Sequence, residues 1–138
     1  MIKEIVKDEE VLTQQSVKAE IEEAQEIITD LLDTANHHID NCAGLAAPQI
    51  GVLKKVIVVR NGNTFFPMVN PVIVKKNGKK FVNTEGCLSL EGLRNVERYS
   101  TILVGYTDKS GKSITKTFNG TLAVIIQHEV DHLNGKLI

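Results

Sequence analysis

The sequence has no tryptophan, three prolines, two cysteines (Cys42 and Cys87) and no apolar run long enough to span a membrane as a helix. Its first residues, Met1-Ile2-Lys3-Glu4, carry no apolar signal segment. That points to a cytoplasmic, reducing setting, in which two cysteines read as ligands or nucleophiles rather than as a cross-link. A Cys42–Cys87 disulfide stays open as the alternative, and for Cys42 a plain buried thiol is favoured. A net charge of −1 leaves no general basic surface to argue for nucleic acid or anionic lipid. Repeats and low-complexity linkers are also missing. Aromatic residues are only 4%, yet 42% of the 138 residues are apolar, enough for the core of one domain spanning residues 1–138.

Ser16 is a plausible N-cap for a long helix over residues 16–41. Ile21, Ala24, Ile28, Leu31, Ala35 and Ile39 step by three and four, giving one apolar stripe. Glu20, Glu22, Glu23 and Glu26 favour its N-terminal dipole and read as a solvated face. His37 and His38 near its end read as exposed and inert. Residues 55–60, 71–76, 80–83 and 101–106 have strand composition. Asp108-Lys109-Ser110-Gly111 reads as a hairpin turn into residues 113–118. An apolar run over residues 121–126 then leads into a buried helix that Gly135 can stop. The expected class is α+β, with antiparallel sheets around this central helix and a long N-terminal helix.

The chemistry concentrates near the end of the chain. His128-Glu129-Val130-Asp131-His132 has the spacing His-Glu-x-x-His. Residues four apart share a helix face, so His128 and His132 can aim two imidazoles at one metal ion. Glu129 follows the first of them and is placed to handle the proton of a water there. Two polar histidines at a helix edge are the bland alternative, but imidazoles without partners would be costly on so apolar a helix. Asp131 diverges from the ligand face. It reads as an anchor for a basic residue such as Arg98, against the alternative of a solvated carboxylate.

A catalytic site of this type needs three protein ligands and one open position. Cys87, in Glu85-Gly86-Cys87-Leu88-Ser89, is the best third candidate. Thiolate is a soft ligand that suits iron, cobalt, nickel or zinc and disfavours calcium or magnesium.

Three segments stand in order: Cys42-Ala43-Gly44-Leu45-Ala46-Ala47-Pro48-Gln49, then Glu85-Gly86-Cys87-Leu88-Ser89, then Gln127-His128-Glu129-Val130-Asp131-His132-Leu133-Asn134-Gly135. With Met68-Val69-Asn70-Pro71-Val72-Ile73 between them, the chain resembles the peptide deformylases over essentially its whole length. The resemblance implies hydrolysis of the formyl amide on the N-terminal methionine of nascent proteins, with release of formate. It implies Cys87, His128 and His132 as ligands of one divalent ion, expected to be Fe2+, with Zn2+, Ni2+ or Co2+ able to substitute. It implies Glu129 as general base and then general acid. Gln49 and the Leu88 N–H would form the oxyanion hole, and Gly44, Ala43 and Arg94 would contact the substrate. The expected partners are N-formylmethionyl peptides, with neither nucleic acid nor membrane.

Some positions depart from the family pattern. Cys42 stands where the first motif has glycine, and would fit badly if a positive φ were required. Ala43 replaces a larger apolar residue, so the methionine pocket is expected to be roomier. Glu91 takes a proline position, and the segment over residues 91–98 is one residue shorter than usual. The sequence reads as a short form lacking the further C-terminal helix, which puts ribosome docking in doubt. Two rival readings remain at this level. A zinc endopeptidase shares the histidine motif but not the Cys87 segment. A degenerate deformylase-like binder without turnover is motivated by Cys42 and Glu91.

Overall fold

The computed structural model describes residues 1–138 as a mixed α/β fold with three helices and one five-stranded antiparallel sheet. The helices are α1 (Glu9–Leu12), α2 (Ile21–His37) and α3 (Gly120–Leu133). The strands are β1 (Gly44–Ala46), β2 (Val56–Asn61), β3 (Thr64–Glu85), β4 (Arg94–Thr107) and β5 (Ser113–Asn119), hydrogen-bonded in sequence order. No helix is long and apolar enough to cross a membrane.

Strand alternation divides the apolar residues between two cores. Leu45, Val56, Val58 and Val69 pack with Ala24, Ile28, Leu31 and Ala35 of α2. Ala46, Ile57, Val59 and Met68 pack with Ala123, Ile126 and Leu133 of α3. The sheet therefore has α2 on one face and α3 on the other, and residues 56–59 of β2 are fully buried.

Helix α2 starts at Ile21, four residues later than an N-cap at Ser16 would place it. The segment before it is extended because its backbone groups are committed to distant partners. Ser16 N–H donates to the Leu133 carbonyl, Val17 brackets Lys54, and the Asn70 amide bonds both the N–H and the carbonyl of Ala19. The helix opens instead with a Glu20–Glu23 capping box. It ends at His37, where the chain tightens into a 3₁₀ turn over Ile39–Asn41.

The two expected strands at residues 71–76 and 80–83 are one continuous element, β3. Asn77-Gly78 looks like a turn, but β4 pairs with residues on both sides of it, and the interruption becomes a register shift. Gly78 has φ 72°, and Lys79 N–H bonds Ser100 Oγ at 2.8 Å. The Asp108–Gly111 turn forms as read: Asp108 Oδ1 accepts from the N–H groups of Ser110 and Lys112. Gly135 has φ 75° just past α3, and a Cβ there would lie 2.4 Å from the Thr13 carbonyl oxygen. That glycine serves both the helix stop and the contact with the segment after α1.

A buried ionic group fixes α3 to the sheet. Arg98 of β4 is 4% exposed. Its Nη1 donates to Asp131 Oδ2 at 2.6 Å, and its Nε and Nη2 donate to the two oxygens of Glu85 at 2.9 and 2.7 Å. Asp131 is thus the anchor, and the solvated alternative does not hold. Asp131→Ala strands one arm of a buried guanidinium that Glu85 still holds. The expected loss is about 3 kcal/mol, the low end of the range for breaking a buried pair. Chemical denaturation measures it, and a midpoint equal to that of the unaltered protein would contradict the anchoring role.

Candidate functional site

Helix α3 brings His128 and His132 onto one face one turn apart, as the spacing requires. Their Nε2 atoms lie 3.2 Å apart, and Cys87 Sγ lies 3.3 Å from Nε2 of His132. The three donor atoms all fall within 4.8 Å of one another. Two nitrogens bound at about 2.0–2.1 Å to a tetrahedral ion would lie roughly 3.3 Å apart, so the observed separation fits a metal ion without rearrangement. The donor set, two imidazoles and a thiol beside a carboxyl, also fits a borderline-soft divalent cation.

The two histidines are held differently. His128 Nδ1 bonds Glu85 Oε1 at 2.7 Å, which leaves Nε2 facing the site. Burial would lower its pKa, but hydrogen bonds to Cys87 and Glu85 push it up to about 10. His132 Nδ1 is buried without a partner, and burial pushes that ring down to about 3. Glu85 accepts from Arg98 twice, from His128 and from Asn83 Nδ2 at 2.9 Å. Burial alone would raise its pKa, yet those donors hold it down to about 2.

Glu129 is 4% exposed and its Oε1 has no hydrogen-bond partner. Burial pushes its pKa up to about 7. Glu129 comes so close to β1 that a Cβ on Gly44 would meet its Oε2 at 2.8 Å and Ile125 Cγ2 at 2.9 Å. The motif glycine at position 44 is therefore needed for room, not for a left-handed backbone.

The 3₁₀ turn Ala47–Ile50, opened by Pro48, aims Gln49 inward. Gln49 Oε1 accepts from Ala46 N–H, and its Nε2 donates to Ser89 Oγ at 3.2 Å and Cys87 Sγ at 3.3 Å. A cavity of about 230 Å³ opens beside these groups. Gln49, Cys87, Leu88, His128 and Glu129 line it together with Ala43, Gly44, Val124 and Ile125.

Most of the residues singled out in the sequence meet at this cavity. Two do not line it: His132 is buried one turn beyond His128, and Arg94, the first residue of β4, donates through Nη2 to the Glu91 carbonyl at 2.8 Å. Cys42 has φ −122°, an ordinary extended value, so the misfit feared for a non-glycine residue does not arise. Its thiol is buried, donates to the Gly44 carbonyl at 3.2 Å and is pushed up to about 12 by burial, which disfavours the reactive thiolate. Both cysteines are free. Glu85 and Asn83 carry contacts that the sequence reading did not assign. The available signal for Glu85 was a carboxylate two residues before the candidate cysteine, since ligating histidines usually lean on one.

The polypeptide deformylase family model matches residues 2–138. A peptide deformylase of Clostridium beijerinckii is 46% identical over 138 residues, covering all of both chains. An actinonin-bound class I type b peptide deformylase from Acinetobacter baumannii superposes with a TM-score of 0.89 at 31% identity, covering 99% of this chain and 95% of that one. The Met-Ala-Ser-bound structure from the same organism matches with a TM-score of 0.89 at 30% identity, covering 99% of this chain and 97% of that one. With that agreement in sequence and in shape, the chain belongs to the peptide deformylase family.

Proposed function

We propose that this protein removes the formyl group from the N-terminal formylmethionine of nascent polypeptides in the cytoplasm, releasing formate. The observation that carries the reading is the convergence of Cys87, His128 and His132 within 4.8 Å of one another beside the buried carboxyl of Glu129. In this reading α3 is the central helix of the fold, presenting His128 and Glu129 to the cavity with His132 buried one turn further on.

Cys87 Sγ, His128 Nε2 and His132 Nε2 would hold one divalent ion, assigned as iron(II) with zinc, nickel or cobalt able to substitute. Such an ion supplies Lewis acidity and lowers the pKa of water toward neutrality. Glu129 takes the proton from the attacking water and later gives it to the departing amine. Its desolvated site and its Oε1, free of other bonds, suit it to carry a proton in both directions. Gln49 Nε2 shares one proton with the Cys87 sulfur, a weak acceptor, so that proton is free to turn to the developing oxyanion. The Leu88 N–H is the second donor. One such donor is worth about 10²–10³ in rate. Gly44 offers its backbone to the substrate, Ala43 lies at the mouth of the side-chain pocket, and Arg94 is the substrate contact furthest from the reacting amide. The methionine side chain enters between Ala43, Val124 and Ile125. The A. baumannii complex with Met-Ala-Ser supports a peptide of that kind as ligand.

Formate release from formyl-Met peptides by protein loaded with iron(II), nickel or zinc tests the reading directly, and no release with any of them would refute it. Glu129→Gln keeps the ligands and loses the proton carrier. Bound metal per chain should stay near one while turnover falls by about 10²–10⁴, and a fully retained rate would remove Glu129 from its role. Cys87→Ser replaces a thiolate with a hard hydroxyl. Metal content after dialysis against a weak chelator should fall below that of the unaltered protein, whereas equal retention would exclude Cys87 as a ligand. Gly44→Ala pushes a methyl group against Glu129, and a displacement near 1 Å costs about 10² in rate. Near-normal kcat in this variant would show that Glu129 tolerates the shift.

A further inference from the structure

The cavity that receives the methionine side chain is not uniformly apolar. Ala43, Leu88, Val124 and Ile125 supply apolar wall, and Asn83 supplies a side-chain amide. Asn83 and Glu85 are two residues apart on β3, so they share one face of the strand. One Nδ2 proton of Asn83 is spent on Glu85 Oε2 at 2.9 Å. The other N–H and Oδ1 make no hydrogen bond within the protein.

A thioether filling this cavity strips water from that amide and returns only a weak acceptor. A polar group left unpaired in this way penalises the complex. Formyl-initiated chains present methionine at this position, and its sulfoxide is the same unbranched side chain with one strong acceptor oxygen added on sulfur. We propose that Asn83 is a specificity-determining residue that lets this site accept N-formylmethionine sulfoxide. The free Nδ2–H donates to the sulfoxide oxygen, and the small Ala43 side chain leaves room for that extra atom. The inference rests on the deformylase reading above. The chemistry is unchanged: water adds to the formyl carbon, the C–N bond breaks, formate leaves, and the sulfoxide passes through intact, so no reductant is required.

The test compares formyl-Met-Ala-Ser with formyl-Met(O)-Ala-Ser, using metal-loaded protein and its Asn83→Leu variant. The unaltered protein should process the sulfoxide with kcat/KM within about tenfold of the thioether, because a positioned donor recovers the cost of burying the oxygen. In Asn83→Leu the ratio of sulfoxide to thioether should fall by a further factor of about 10–100, the effect of leaving one polar group unpaired. Calorimetric binding of the products Met-Ala-Ser and Met(O)-Ala-Ser should show the same change in ratio. Rejection of the sulfoxide by more than about a hundredfold in the unaltered protein overturns the proposal. So does a parallel fall of both substrates in the variant, which would mean that Asn83 acts only by holding Glu85. If Asn83→Leu does not fold, the ratio and the product affinities of the unaltered protein still decide. Absence of formate from formyl-Met-Ala-Ser would instead refute the deformylase reading, and product binding would still report on Asn83.

Discussion

One carboxylate holds the site together. Glu85 is buried between two strands and a helix, and it stays ionised only because Arg98, His128 and Asn83 surround it with donors. Remove those donors and an ion of that kind would not remain inside a protein. With them, the ring orientation of His128 is set, β3 is tied to β4 through Arg98, and Arg98 in turn holds Asp131 on α3. The orientation of a candidate ligand and the docking of the helix that carries it are therefore one structural fact. His132 has no such support on its Nδ1, and its direction comes from helix geometry, packing and the contacts of its Nε2 with Cys87 and His128.

Space is the second constraint. Glu129 occupies a desolvated position against β1, and only a residue without a Cβ allows the strand to come that close. Gly135 plays a comparable part just past the C-terminus of α3, where its missing side chain admits the Thr13 carbonyl. The C-terminal half of α3 is thus fitted against two glycines whose contacts are far away in sequence, Gly44 beside Glu129 and Gly135 beside Thr13. Cys42 lies two residues from Gly44 and needs no special backbone, so its departure from glycine is absorbed without strain.

The site was more legible in the sequence than the fold around it. His128, Glu129 and His132 lie within one helical turn, where covalent spacing alone fixes relative direction, and Cys87 was recoverable from its flanking residues. The pairing of Asp131 with Arg98 was legible as well, because a carboxylate off the ligand face of a buried helix needs a cation. Other features depended on partners distant in the chain. Local propensity favoured a helix from Ser16, but hydrogen bonds to residues 53–55, 70 and 133 hold that segment extended. Residues 71–76 and 80–83 read as two strands, but the register with β4 makes them one continuous strand with a bulge between.

By itself, then, the sequence determined the candidate donor set, the carboxyl proposed to carry the proton and the α-β order of the elements, because those follow from short spacings and residue chemistry. Tertiary structure alone decided that Glu85 would carry the buried charge, that Gly44 would serve for clearance, that Arg94 would lie off the cavity wall and that Asn83 would face into it. Each of those depends on strand register and on the close approach of segments tens of residues apart. No local pattern encodes such distances.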